Sequence, residues 1–376
     1  MIPDGNPLLL ILLIIFGICF LVQAFYYFYF FLTPALFRPP KPSAKQEPVS
    51  VIICARNEEE NLRDFLPAVL EQEYPDFEVV VVNDCSEDGT DNVLAGFLEL
   101  YPRLRVSSIN KDPKFTHNKK FAQFIGIKAA KNELLLFTDA DCKPESSKWI
   151  EKMVSRFEEK TGFVLGYGGY FTKKGLLNSY IRYDSMTIAV QYLGMALRGM
   201  PYMGVGRNLA YRKSIFFDKK GFGPYSHLAS GDDDLFVNAN ASGENIAAEF
   251  SRESHTRSVP AADVRQFIKQ KTRHLTTSTH YKTPHKVILV GEPASRVIFY
   301  VSMIILLSNL YAWPIVTGLF LMRFIIQMTV FALNRKKLNE PGILPLFPIF
   351  DLVSPFINAA LLAGSFREGR ANTIWK

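Results

Sequence analysis

The sequence predicts an α/β domain, a mostly parallel sheet wrapped by helices, carried between membrane-spanning segments at both ends of the chain. Three observations predict it. An uncharged apolar run extends from Pro7 to about Leu32, short apolar runs alternate with helical patterns between about Val49 and Ser258, and further apolar stretches occupy Val297–Leu333 and Ile343–Phe366.

The first run is long enough to cross a hydrocarbon core of ~30 Å as a helix. A signal peptide would begin with basic residues and end at small ones, whereas this segment begins with Asp4 and runs into bulky aromatics, so residues 1–33 read as a retained anchor. Arg38, Lys41 and Lys45 follow, which places the next domain in the cytoplasm by the positive-inside rule. Val297–Leu333 is too long for one crossing and splits near Asn309–Pro314 into a helical hairpin, with the run NRKK (334–337) back on the cytoplasmic side. Arg323 inside it is costly in lipid and must snorkel or face protein. Ile343–Phe366 contains Asp351, Pro345, Pro348 and Pro355. It either spans or re-enters, and Arg367 and Arg370 favour re-entry with a cytoplasmic C-terminus. Residues 297–366 are thus the C-terminal membrane segments of a multi-pass protein, expected in a bacterial inner or plasma membrane.

A formal charge of +7 over 376 residues could suit nucleic acid, but no RNA- or DNA-binding motif accompanies it. Basic residues at the ends of apolar segments instead point to an anionic membrane surface. Cys19, Cys54, Cys85 and Cys142 have neither zinc-ligand spacing nor a disulfide pattern, and read as reduced thiols.

In the central part, VSVIIC (49–54), EVVVVN (78–83) and ELLLFT (133–138) read as buried strands, and Asn57–Leu70 as a helix with an acidic first turn. Ligands of such sheets bind beyond the carboxyl ends of the strands, where Asp84, Asp139 and Asp141 fall. Asp84 alone could be a helix cap. Asp139 and Asp141, one residue apart at a strand end, repel unless a cation lies between them, and a hard Mg²⁺ or Mn²⁺ bridging to a diphosphate would supply that charge.

As a set, ARNEEENL (55–62), VVNDCSEDGT (81–90), NKKFAQFIGI (118–127), TDADC (138–142), GVGRNLAYR (204–212), SGDDDL (230–235) and QKTRH (270–274) resemble the inverting family 2 glycosyltransferases with the GT-A fold. The resemblance runs from about Val51 to His274. The layout, one leading helix and a few trailing ones, is similar to ceramide glucosyltransferases and small polysaccharide synthases. The resemblance implies a cytosolic Rossmann-like nucleotide-diphospho-sugar transferase domain over residues 48–275, closed by an interfacial helix at 263–275. It also implies roles: Ala55, Asn57 and Glu58 lining the nucleoside pocket, Asp84 on the base (usually uracil), Lys119 near the diphosphate, Asp139 on ribose or metal, and Asp141 as the main metal ligand. Gln270 and Arg273 match the family's Gln-x-x-Arg-Trp signature, with His274 in place of Trp, and Phe124 stands where the family usually has Asn.

Inversion needs one general base opposite the leaving diphosphate. SGDDDL offers Asp232 and Asp233; alignment on Gly231 selects Asp233, alignment on Leu235 selects Asp232, and a solvated acidic turn is the alternative. Gln270–Arg273 also fit one face of a basic amphipathic helix. Gly204, Gly206 and Asn208 suit close approach to an acceptor. Tyr180–Met203 reads as core, or as an interfacial segment admitting a lipid. His255 is a metal ligand or a structural histidine. The implied activity is hexosyl or N-acetylhexosaminyl transfer from a UDP-sugar to a lipid-linked or membrane acceptor. A processive polysaccharide synthase is the enzymatic alternative, and a membrane scaffold with a retained nucleotide-binding fold the non-enzymatic one.

Overall fold

Pro7–Leu36 form one 30-residue helix, α1, in the computed structural model, which describes residues 6–41, 45–110, 118–226, 228 and 230–367. Asn6 caps it by accepting the Leu8 N–H at 3.0 Å, and Pro7 supplies a helical φ at the first turn. A π-helical turn at Tyr26–Phe31 interrupts it and turns four aromatic rings toward protein.

Strands β1 (Val49–Ala55) and β2 (Phe77–Asp84) are buried along their whole length, so both faces of the sheet must be covered. Helices α2 (Glu59–Leu70) and α3 (Thr90–Leu100) cover one face through Leu62, Leu66 and Leu94. Helix α4 (Lys119–Ala129) covers the other, with Ala122 against Val80 and Val82. The sheet continues through β3 (Leu104–Ile109), a strand that no apolar run announces, and β4 (Leu134–Asp139). These four strands run parallel in the order β3-β2-β1-β4. The chain then forms β5 (Cys142–Pro144), α5 (Trp149–Val154), β6 (Phe163–Leu165), β7 (Gly168–Tyr170), α6 (Leu176–Leu197), β8 (Leu209–Arg212), α7 (Lys213–Asp218), α8 (Asp234–Asn240), β9 (Ile246–Ala248) and β10 (Thr256–Ser258). Strands β8, β6 and β9 extend the sheet beyond β4, with β8 antiparallel to both neighbours, while β5, β10 and β7 make a small second sheet.

Helix α9 (Val264–Ser278) is capped by Asp263. Three long helices follow: α10 (Thr283–Ser308), α11 (Trp313–Lys337) and α12 (Phe347–Arg367). With α1, four helices among the described residues are long and apolar enough to cross a membrane. The hairpin break falls where the sequence places it, but α10 begins at Thr283, well before Val297. Arg370 lies outside the described residues. Phe16 stacks on Phe299 with centroids 4.4 Å apart, joining α1 to α10. The loop after α11 returns to the α/β domain, where the buried Glu340 accepts from Arg182, Arg257 and Tyr167.

Tyr180–Met203 is chiefly core. Helix α6 is buried along most of its length and meets the π-helical turn of α1. A Cβ added at Gly194 would collide with the Phe30 carbonyl oxygen. That oxygen belongs to backbone, so the clash cannot relax by a rotamer change. Gly194→Ala should therefore destabilise the protein by about 1–3 kcal/mol, the usual cost of overpacking; a thermal unfolding midpoint equal to wild type would show that α1 does not seat there.

Candidate active site

Parallel pairing brings the carboxyl ends of β1, β2 and β4 to one edge of the sheet. The register sets Ala55 beside Asn83 and Cys54 beside Asp139, so residues far apart in sequence face one crevice. Ala55 and Asp84 are fully buried there. Asn57, with φ of 54°, clamps the two loops together. Its backbone N–H donates to Ser86 Oγ at 2.9 Å, and its Oδ1 accepts from the Glu87 N–H at 2.8 Å. The Glu58 N–H donates to Thr90 Oγ1 at 3.0 Å, while its carboxylate holds Asn61. Asn57 and Glu58 thus shape the loop that frames the crevice.

Lys119 stands at the start of α4, whose cap is Asn118. Its Nζ is 2.6 Å from Asp139 and 3.7 Å from Asp232. Burial opposes charge on these groups, but the Lys119 ammonium more than offsets it at Asp139 and holds that carboxyl below its ordinary range. In return Asp139, Asp232 and Asp233 hold Lys119 firmly protonated despite its burial. Asp232 is pushed up, first by burial and then by Asp233, with Lys119 opposing.

The ligand atoms of Asp139, Asp141 and Cys142 lie within 4.8 Å of one another. Cys142 is not part of a hard-metal donor set. Its thiol is buried, bonds Ser258 Oγ at 2.8 Å, and is pushed well above its ordinary pKa by desolvation. The two carboxylates suit an oxygen-preferring divalent cation.

Asp233 is the least buried of the three successive aspartates. Its Oδ2 accepts from the Gly206 N–H at 2.6 Å and its Oδ1 from the Asp234 N–H at 2.7 Å. A Cβ at Gly206 would sit 3.3 Å from that Oδ2 and 3.5 Å from Lys119 Nζ, so this glycine lies among the charged groups. Gly204 and Asn208, which the sequence places on the acceptor side, lie in packed surroundings instead. Gly204 packs against Leu209, Leu165 and Val237. Asn208 is buried, with its amide used up by Trp149 Nε1 at 3.0 Å, Tyr167 O at 2.9 Å and Ser254 O at 2.7 Å. His255 is likewise structural: buried, bonded to Phe250 O at 3.0 Å and edge-on to Tyr167.

Helix α9 lays Gln270 and Arg273 toward the same crevice. Gln270 Nε2 donates to Tyr170 OH at 3.3 Å, and the Arg273 charge helps lower the Asp139 carboxyl. Lys271 is seated by both oxygens of Asp184 at 2.6 Å. Two further groups were missed in the sequence. The Arg207 guanidinium lies 4.4 Å over the Tyr170 ring and adds positive charge beside Asp139 and Asp141; the only signal was a cation flanked by Gly206 and Asn208. Asp234 reaches away from the crevice to the end of α9, where its Oδ2 accepts from Thr277 Oγ1 and, from the turn just after the helix, from Tyr281 OH at 2.7 Å. The base loop and α9 are therefore tied by one carboxylate.

Burial, then the Asp233 charge, push Asp234 up to about 7 against the two hydroxyl donors. In the fold this group holds a proton that the unfolded chain releases near pH ~4. Its contribution to stability is present below that pH and is lost as pH rises toward about 7. Thermal midpoints should fall over that window in the wild type and fall less in Asp234→Asn; parallel profiles would show that Asp234 titrates normally.

An open sheet whose parallel strands end in Asp84 and in an Asp-x-Asp pair, with a lysine and a further carboxylate loop closing the crevice, has the layout of the GT-A fold. Residues 50–217 match the model of the family described as glycosyl transferase family 2. It is similar to "Glycosyltransferase AglE" of Haloferax volcanii, 32% identical over 49% of this chain and 58% of the relative. It is also similar to "Probable glycosyltransferase YdaM" of Bacillus subtilis, 31% identical over 44% of this chain and 41% of the relative. The chain thus spans about half the length of these curated relatives. Among solved structures, the mannosyltransferase PcManGT of Pyrobaculum calidifontis, in complex with GDP-Man and Mn²⁺, shares the fold with a TM-score of 0.57 at 18% identity, over 89% of this chain and 100% of that one.

Proposed function

We propose that the protein moves a sugar, with inversion, from a nucleoside diphosphate sugar, UDP-linked on the motif resemblance, to a hydroxyl of a lipid-linked or membrane acceptor. The observation that carries this reading is the position of Lys119, whose ammonium touches Asp139 on the metal side and approaches Asp232 beside Asp233. Donor and base machinery thereby meet across a few ångströms.

In this reading Asp141, with Asp139, would hold a divalent cation, which would supply charge stabilisation to the departing diphosphate. Lys119, Arg207 and Arg273 face the same anion, the lysine as a point charge and the two arginines through forked guanidinium groups. Asp233 takes the proton of the acceptor hydroxyl as its oxygen bonds to the anomeric carbon and the bond from that carbon to the diphosphate breaks. Asp233 is favoured over Asp232 because it is more open, whereas Asp232 is buried against Lys119. Ala55 and Asp84 would contact the nucleoside. Catalysis on the cytoplasmic face is supported by Arg38, Lys41 and Lys45 after α1 and by Arg335–Lys337 at the end of α11.

The test is the full-length protein in nanodiscs with membrane extract and a panel of radiolabelled UDP- and GDP-sugars. Release of nucleoside diphosphate with one sugar entering the organic phase is expected. Long polymer from donor alone would establish the synthase reading, and no turnover with any donor would favour the scaffold.

A further inference from the structure

A cavity of about 150 Å³ lies between α6 and the membrane-length helices. Its wall takes Asp184 and Gln191 from α6, Arg296 from α10, Asn334 from α11 and Asn358 from α12. Space of this size accommodates about one six-membered ring.

The polar atoms of the wall have a definite character. Asn334 is 1% exposed. Its Nδ2 donates to Phe31 O at 2.8 Å and Val330 O at 2.9 Å, while its buried Oδ1 has no protein partner, and neither has the buried Oδ1 of Asn358. Both are acceptors, and an unmatched acceptor inside an apolar helix bundle is costly. Arg296 offers nothing to balance a phosphate. Its Nε and Nη2 donate to Glu292 at 3.1 and 2.5 Å, and its Nη1 to Asp351 at 2.7 Å. Arg323 also meets Asp351, at 3.5 Å. Two guanidinium groups and two carboxylates therefore cancel, leaving carbonyl acceptors and no spare cation at the cavity among the described residues.

We propose that this cavity binds the head of a neutral membrane lipid that offers hydroxyl donors. An isoprenoid phosphate or another anionic lipid would find no counter-charge there. The cavity also borders the catalytic apparatus. Asp184 on its wall seats Lys271 of α9, the helix that carries Gln270 and Arg273. Gln191 accepts from Tyr202 OH at 3.1 Å, and the Tyr202 ring lies 5.8 Å from Tyr281, the donor to Asp234. The inference deepens the lipid-acceptor reading and rests on it for the lipid's role, though not for the binding.

The experiment is native mass spectrometry of the full chain released from nanodiscs containing a diacylglycerol, its O-methyl ether or a polyprenyl phosphate, followed by assay with nucleotide sugar. Diacylglycerol should be retained one to one. The methyl ether should be lost, and Asn358→Leu and Asn334→Leu should each weaken retention about tenfold. The Asn358 Oδ1 holds no neighbouring helix, so its replacement keeps the test alive if Asn334→Leu fails to fold. Preferential retention of polyprenyl phosphate, equal retention of all three, or none would overturn the proposal. Diacylglycerol retained but never glycosylated would sink the acceptor reading and leave the cavity standing. Glycosylation unaffected by both variants would do the reverse.

Discussion

Asp233→Asn should lower turnover by ~10²-fold or more while leaving donor affinity near wild type, since proton acceptance typically contributes ~10²–10⁴-fold and the amide keeps the side chain's shape. The amide oxygen can still accept from one of the two backbone N–H groups that the carboxylate holds in the wild type, Gly206 at 2.6 Å or Asp234 at 2.7 Å; losing the other should cost some stability, while the loss of turnover should fall on the chemical step. Asp232→Asn is the control. It removes a buried carboxyl next to Lys119, which should alter donor binding more than proton transfer. Single-turnover kinetics with donor bound separates the two, and a dead Asp232→Asn beside a near-normal Asp233→Asn would move the base by one residue.

Chelation should have an effect of similar size. With EDTA, transfer should be abolished, and Mg²⁺ or Mn²⁺ should restore it. A bound metal supplies several kcal/mol of charge stabilisation, about 10²-fold or more in rate. Asp141→Ala should lose donor affinity as well as turnover, measured by calorimetric titration of the nucleotide sugar with and without metal. Asp139→Asn should be harder to read, because it also releases the Lys119 ammonium. Full activity in chelator would remove the metal role from both residues and leave Asp139 as the ion-pair partner of Lys119.

What the sequence disclosed follows from what local pattern can carry. β1, β2 and β4 are buried on both faces, so they read as continuous apolar runs, and the acids at their ends stand out because polar residues interrupt those runs. β3 was missed because it is an edge strand, with only Leu104 fully buried and Arg105 and Ser108 exposed. The three-residue strands of the second sheet carry too little pattern to be seen. The start of α10 was missed for a different reason: Glu292 and Arg296 make the segment look polar, yet with Asp351 and Arg323 they form a charge-balanced cluster inside the bundle. Partners distant in sequence were equally invisible. Asp234 finds Thr277 on another helix and Tyr281 just beyond its end, and Glu340 finds Arg182 and Arg257 across the fold. Asn208 misled for the same reason, since only the fold shows that Trp149, Tyr167 and Ser254 consume its amide.

The central claim is a single displacement at the anomeric carbon, driven by one base facing a metal-held diphosphate. Its most direct test is the anomeric configuration of the product formed by the full-length protein in nanodiscs, read by NMR from the one-bond and vicinal couplings of the transferred sugar. A configuration opposite to that of the donor, formed with stoichiometric release of nucleoside diphosphate, is the predicted result. A product that keeps the donor's configuration would contradict a single displacement.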